Sequence, residues 1–257
     1  LFNNKFPYFA KGRILKQSML ENLRDYPRNF IDLYFQDYSN GIIAGSNLLI
    51  EDDYIHIKRG VIKFGGVVYI LDKSQNLNYT NTNKEMVIKF RVAQIEETED
   101  FRTYNSEIFF DNKIELKEDE FELGRFKLRE GAELRSNYND FLDFSTKYNT
   151  INIINVKYAN VEKHTLHPLI IRTFAKKLLK ASYDNNLDTI FAMESLNSKT
   201  IDRDVIISYL VRRLGIAEKG YTNLELYEYM KKIVKELSGV KLNEERRDKG
   251  PKKIIVD

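Results

Sequence analysis

GIIAGSNLLIEDDYIHIKRGVIKFGGVVYILD, Gly41 to Asp72, sets short apolar runs between the turn formers Asp52-Asp53, Arg59-Gly60 and Gly65-Gly66. Turn residues this close leave room only for strands of about five residues, so the stretch predicts an antiparallel β-meander. Ile55 and Ile57 fall on one face, with Tyr54, His56 and Lys58 on the other. Ile62 and Phe64 then alternate with Val61 and Lys63, the period of two of a half-buried sheet. Val67 to Leu71 is apolar on both faces, which predicts a central strand or one covered on its second side.

Downstream, the polar run Lys73 to Lys84 predicts a connection with one edge strand around Leu77 and Tyr79. Met86 to Ile95 reads as a longer strand, with Met86, Ile88, Phe90 and Val92 facing in and Lys89 and Arg91 facing out. Glu96 to Asp100 is an acidic turn, and Tyr104 to Phe110 and Phe121 to Leu128 are the next strands. In the second of these the apolar parity changes across Gly124, which predicts a β-bulge. Lys113 to Glu120 reads as charged and solvated. Ser136 to Asn149 has turn formers and little period, and Ile151 to Tyr158 is a further β-like run.

From Pro168, a residue suited to the first helical position, the period changes to helical. Expected helices run to Tyr183, over Leu187 to Leu196, over Ile201 to Leu214 with entry through Asp202 and a stop at Gly215, and over Asn223 to Leu237 with Gly239 just beyond. The reading is an α+β chain of four parts. Residues 1–40 hold an aromatic arm and N-terminal helices, and 41–160 an antiparallel meander or sandwich. A helical bundle domain spans 161–239 and a charged tail 240–257. In the first part, Leu1 to Gly12 carries Phe2, Phe6, Tyr8 and Phe9 around Pro7 without any period. Such an arm packs on its own domain or on a neighbouring chain. Ile14 to Tyr26 follows as a short amphipathic helix with Leu15, Met19 and Leu23 on one face, halted or bent by Pro27. A second short helical piece holds Phe30, Ile31, Leu33, Tyr34 and Phe35.

Composition narrows the function more than it names it. The 257 residues are 42% hydrophobic, and 41 basic and 38 acidic side chains leave a net charge of +3, interspersed along the chain. No polyanion partner is demanded by that balance. Cysteine is absent, which excludes disulfides and thiolate metal sites. No apolar run reaches the length of a membrane helix and the first residues lack a signal-peptide core, so a soluble, cytoplasmic protein is expected. Tryptophan is missing, but 16 Tyr and 16 Phe suit a sheet or an adhesive surface.

No residue constellation demands catalysis. His164 and His167 stand three apart, but Pro168 works against the helix that would aim both at a metal, so the pair reads as a helix entry. His56 reads as a surface histidine. Asp184, Asn186 and Asp188 open like a calcium loop, yet Thr189 stands where glycine is needed and Ser195 where glutamate is needed. Asp52-Asp53 and Glu118-Asp119-Glu120 read as turn residues. No phosphate-binding loop follows any glycine cluster. The basic groups Lys176, Lys177, Lys180, Arg212 and Arg213 lie beside acidic residues, against nucleic-acid binding.

Two phrases together carry a resemblance: ILKQSMLENLRDYPRNFIDLYFQDYSNGIIAG (residues 14–45) and VIKFGGVVYIL (residues 61–71). Helical and then glycine-punctuated, this pattern resembles the baseplate and fibre-attachment proteins of contractile phage tails and phage-tail-like bacteriocins, over roughly residues 10 to 95. The resemblance implies a structural, non-enzymatic subunit without cofactor, in several copies, bound to other baseplate and fibre proteins. It implies no membrane and no nucleic acid, and a particle built in the bacterial cytoplasm and then released. Expected contact points are Phe2, Phe6, Tyr8 and Phe9, then Phe30, Tyr34 and Phe35, and lastly Ile254, Ile255 and Val256 at the tail. The ordinary reading of Phe30, Tyr34 and Phe35 is core packing. A receptor- or glycan-binding role for the β domain is the alternative, and would place exposed aromatics along a groove. A cell-wall hydrolase would need a close carboxylate pair that the sequence does not display.

Overall fold

The computed structural model describes residues 1–181 and 185–239, so the expected helix end at Tyr183 and the tail from Val240 lie outside it. The class is α+β: among the described residues one α-helix, nine strands in antiparallel sheets and a short 3-10 turn (Leu142–Ser145) are followed by four α-helices.

One helix, not two, precedes the strands. α1 (Gln17–Tyr34) runs straight through Pro27. Proline deletes one i→i−4 bond, but the turns on both sides supply enough of the remaining ladder to carry the helix past it.

Nor do residues 41–72 form a single meander. β1 (Gly41–Gly45), β4 (Gly60–Phe64) and β5 (Val67–Leu71) make one sheet in the order β1-β4-β5. β2 (Leu48–Glu51), β3 (Tyr54–Ile57) and β6 (Gln75–Asn78) make another in the order β2-β3-β6. The chain changes sheets where Gly45 lies opposite Gly60. Gly45 has φ +67°, and a Cβ on either glycine would collide with the other strand, so only glycine allows the crossing. Ile55 and Ile57 share the buried face as expected. β5 is an edge strand instead of a central one. α1 lies over part of its second face and leaves Ile70 exposed.

The third sheet, in the order β8-β7-β9, contains β7 (Glu85–Glu97), β8 (Arg102–Asp111) and β9 (Glu120–Lys127). Its register slips between the pairs Ile88–Gly124 and Lys89–Glu122, which leaves Leu123 as the extra residue. That is the expected bulge. Phe64 and Tyr69 meet Phe90 at ring separations of 6.1 and 5.3 Å, and Tyr79 meets Phe126 at 6.1 Å, so the two small sheets face this one.

Two polar residues of this third sheet depart from their expected surface positions. Lys89 is 1% exposed, because Glu120 of β9 and Asp111 of β8 close over it at 2.8 and 3.0 Å while its ammonium also donates to the Glu115 carbonyl. Glu120 is buried with it, whereas 113–119 are solvated. Paired and hydrogen-bonded in this way, the charges tolerate burial.

Residues 149–160 form no regular strand. They pair by single bridges, Asn152 with Arg125 of β9 and Tyr158 with Ile42 of β1, and so stitch two sheet edges together. Ile151, Ile153, Ile154 and Val156 are buried beneath the helices.

The helices are α2 (Pro168–Lys180), α3 (Asn186–Asn197), α4 (Arg203–Leu214) and α5 (Asn223–Leu237). Their ends follow local chemistry: Pro168 at the first turn of α2, Asp202 capping α4, Gly215 in the left-handed conformation after it, and a Thr222–Glu225 capping box on α5. Phe174 sits at their centre, its ring 5.4 Å from Phe141 and 6.0 Å from both Phe191 and Tyr209. Asp188 is buried between α3 and α4, accepting from Tyr209 Oη at 2.7 Å and from Arg213.

Candidate protein-docking surface

α1 has the apolar face of a core helix and no core. Met19, Leu23, Tyr26, Phe30 and Leu33 recur at spacings of four and three, with Leu20 and Tyr34 beside them. A stripe of this kind ordinarily faces a partner. Yet no residue of α1 is buried, and all of these but the half-buried Met19 are exposed, Phe30 at 62%. Core packing therefore does not describe Phe30 or Tyr34, and Phe35 is half-buried at the helix end. The pattern that reveals the stripe is legible only when residues 17–34 are taken as one helix, which Pro27 disguises.

One end of α1 is fastened. Lys63 of β4, 6% exposed, donates from Nζ to the carbonyls of Phe35, of Gln36 at 2.8 Å and of Tyr38 at 2.6 Å. The carbonyls belong to the turn that leaves the helix, where that of Phe35 also accepts from the Tyr38 N–H at 3.1 Å, and a cation beside this end complements the helix dipole. Ser39 N–H donates to the Asn160 carbonyl at 2.9 Å, and Glu162 N–H to that of Asp37 at 2.8 Å. From this anchor an aromatic ladder climbs outward, Tyr38 to Phe35 at 5.1 Å, Phe35 to Tyr34 at 4.9 Å and Tyr34 to Phe30 at 5.9 Å. The opposite end has neither a side-chain cap at Lys16 nor an acidic first turn. Between Pro27 and Ile31 of α1 and Tyr69 and Leu71 of β5 runs a groove of about 580 Å³.

Replacing Lys63 by methionine is expected to leave those carbonyls without a charged donor and cost about 1–3 kcal/mol. Amide hydrogen exchange should accelerate over the last turn of α1 and the following 35–38. Unchanged protection there would show that Lys63 does not hold the helix.

The arm continues the exposed surface. Phe2, Phe6, Tyr8 and Phe9 are all exposed and do not pack on the sheets. Contacts of the arm are local: Arg13 lies 4.8 Å over the Tyr8 ring, and residues 5–8 lie beside the first turns of α1. Ile254, Ile255 and Val256 lie outside the described residues.

Elsewhere, among the described residues, every buried side-chain nitrogen or oxygen has a hydrogen-bond partner. His167 caps α2, its Nδ1 accepting from the Leu169 N–H at 3.1 Å, and burial pushes its pKa down to about 3. His164 is pushed down to about 4 by burial and then by the charges of Arg203 and Lys157. His56 is half-buried on β3 and bonds to Asn76. Among the described residues no group of three or more His, Asp or Glu is placed to hold a metal, and no helix is long and apolar enough to cross a membrane.

No family model matches the chain, and no curated protein matches it. Two solved structures overlap it in part. One is a crystal structure of TssK, with a TM-score of 0.42 and 8% identity, covering 93% of this chain and 72% of that one. The other is the type VI secretion system TssK-TssF-TssG baseplate subcomplex seen by cryo-electron microscopy, with a TM-score of 0.40 and 6% identity, covering 91% of this chain and 100% of that one. At these scores the overlap establishes neither a fold nor a function for this chain.

Proposed function

We propose that the chain is a non-enzymatic structural subunit of a contractile tail baseplate, in a phage or a phage-tail-like bacteriocin, joining the baseplate to receptor-binding fibres by protein-protein contacts. The observation that carries this reading is α1: a full-length apolar face, left bare, on a helix fastened at one end by Lys63. Contiguous exposed apolar surface of that kind marks an interaction site, and aromatic anchors on it are suited to tight contacts. The sequence resemblance of residues 10 to 95 supplies the kind of assembly. Its partners are other baseplate and fibre proteins of the same particle, met during assembly in the bacterial cytoplasm. Phe2, Phe6, Tyr8, Phe9, Phe30, Tyr34 and Phe35 are the contact residues within the described chain. A glycan-binding role has less support, because the sheet aromatics Phe64, Tyr69, Phe90 and Phe126 pack in the interior, while the exposed aromatics lie mostly on the helix and arm, with Tyr54 and Phe101 apart from them.

Changing Leu23 and Phe30 to glutamate tests the reading. Both sites are exposed, so each change should alter folding stability by no more than about 0.5 kcal/mol. In producing cells the wild-type chain should sediment with tail-like particles and the double variant should stay in the soluble fraction. Equal incorporation of the two, or absence of the wild type from particles, would overturn the proposal.

A further inference from the structure

Only the first half of β7 is held on both sides. β9 pairs with it from Glu85 to Arg91, whereas β8 continues beside it to Glu97. Beyond Val92, β7 and β8 are therefore a two-stranded hairpin extending past the sheet. Its tip carries Glu96, Glu97, Glu99 and Asp100, all exposed, against one cation, Arg102, which pairs with Glu97 at 2.9 Å. Phe101 stands among them, 73% exposed.

The other end of the same strand has the opposite sign. Lys84 precedes β7, Lys127 lies across from Glu85, and Arg129 follows β9. Lys127 Nζ, Arg129 Cζ and Lys147 Nζ converge on the ring of Tyr148, at 5.2, 3.9 and 5.6 Å from its centre. Arg129, and after it Lys127 and Lys147, hold the Tyr148 phenol below its ordinary pKa. None of Lys84, Lys127, Arg129 and Lys147 makes an ion pair with a described carboxylate. Glu85, the acid nearest in register, is engaged by Arg125 at 3.6 Å.

Like charges gathered without a counter-ion repel one another unless a partner neutralises them. At about 3.3 Å per residue the two ends of β7 stand roughly 40 Å apart, so tip and base of one chain cannot meet. Those of two chains can. We infer that the chain associates head to tail with a second copy of itself, the acidic β7–β8 tip of one seated on the Lys127, Arg129 and Lys147 cluster around Tyr148 of the next. A contact of this type leaves one free end of each sign, so it closes into a ring or continues as a filament. Phe101 gives the charged contact an apolar centre. The inference uses nothing from α1 and does not rest on the baseplate reading.

The test uses the full chain carrying Leu23→Glu and Phe30→Glu, which removes association through α1. Sedimentation velocity should show concentration-dependent oligomers at about 10 mM salt, where charges act across about 30 Å, and monomers at about 1 M, where they act across about 3 Å. Reversing the base (Arg129→Glu with Lys147→Glu) or the tip (Glu96→Lys, Glu99→Lys and Asp100→Lys) should each weaken association by about tenfold or more. All five sites are exposed, so the fold should persist. Mixing the two reversed chains should restore assembly, since each then offers the other a matching end. A monomer at low salt, oligomers indifferent to either reversal, or a mixture that stays monomeric would each overturn the inference.

Discussion

Replacing Lys89 by alanine is expected to destabilise the protein by about 3–5 kcal/mol, the range for breaking a buried ion pair from one side. The change leaves Glu120, 1% exposed in its side chain, and Asp111, 23% exposed, without the cation that bridges them, and Glu120 keeps as its cation only the exposed Lys117 at 3.9 Å. Urea unfolding should show the loss, and Lys89→Met combined with Glu120→Gln should recover much of it, because the fully buried charge of Glu120 goes with its partner and only Asp111, 23% exposed, loses its cation. Equal losses in the single and double variants would mean that packing, and not charge, sets the cost. The acid limb gives a second check. Burial opposes ionisation of Glu120, but the Lys89 hydrogen bond and the Lys117 N–H outweigh it and lower the pKa. The Lys113 N–H, followed by Lys89, lowers that of Asp111. Folded values below the unfolded ones mean stability that is fully present above the ordinary carboxylate pKa and is lost as pH falls through the folded values. In the double variant this acid-sensitive portion should shrink.

Phe174→Ala is expected to cost a similar amount, about 3–5 kcal/mol, by opening a cavity between α2, α3 and α4. The ring is fully buried among Phe141, Phe191 and Tyr209, and the last two stack at 4.1 Å, so rigid aromatics line the space and little can move in to fill it. Phe174→Leu should lose distinctly less. A loss below about 1 kcal/mol for the alanine variant would show that the four helices can collapse onto the gap.

What could be read from the chain beforehand follows a physical division. Signals carried by neighbours in sequence were legible: the inward pair Ile55 and Ile57, the bulge at Gly124, Pro168 opening α2 and Gly215 closing α4. Each depends on the local period or on a backbone angle. Local alternation puts Lys89 outside and the charged run puts Glu120 in solvent, whereas their burial is decided by a pairing 31 residues apart that only the sheet brings about. Lys63 alternates like an outward residue of a strand, and nothing near it foretells that the end of α1 will arrive there 25 to 28 residues away. Pro27 hid the continuity of α1 and, with it, the stripe from Met19 to Leu33. For Phe30 and Tyr34 the sequence favours ordinary packing, and their exposure is visible only in the structure.

Pro27 also determines how α1 yields under load. Its missing N–H removes the bond to the Leu23 carbonyl, so one rung is absent midway between the anchored end and the uncapped end. A pull on the far half would be taken up by bending at that rung before the Lys63 anchorage was disturbed. The outer half of α1 is thus joined to its anchored half by one hydrogen bond fewer than an uninterrupted helix would supply, and a bend imposed by a bound partner is expected at Pro27.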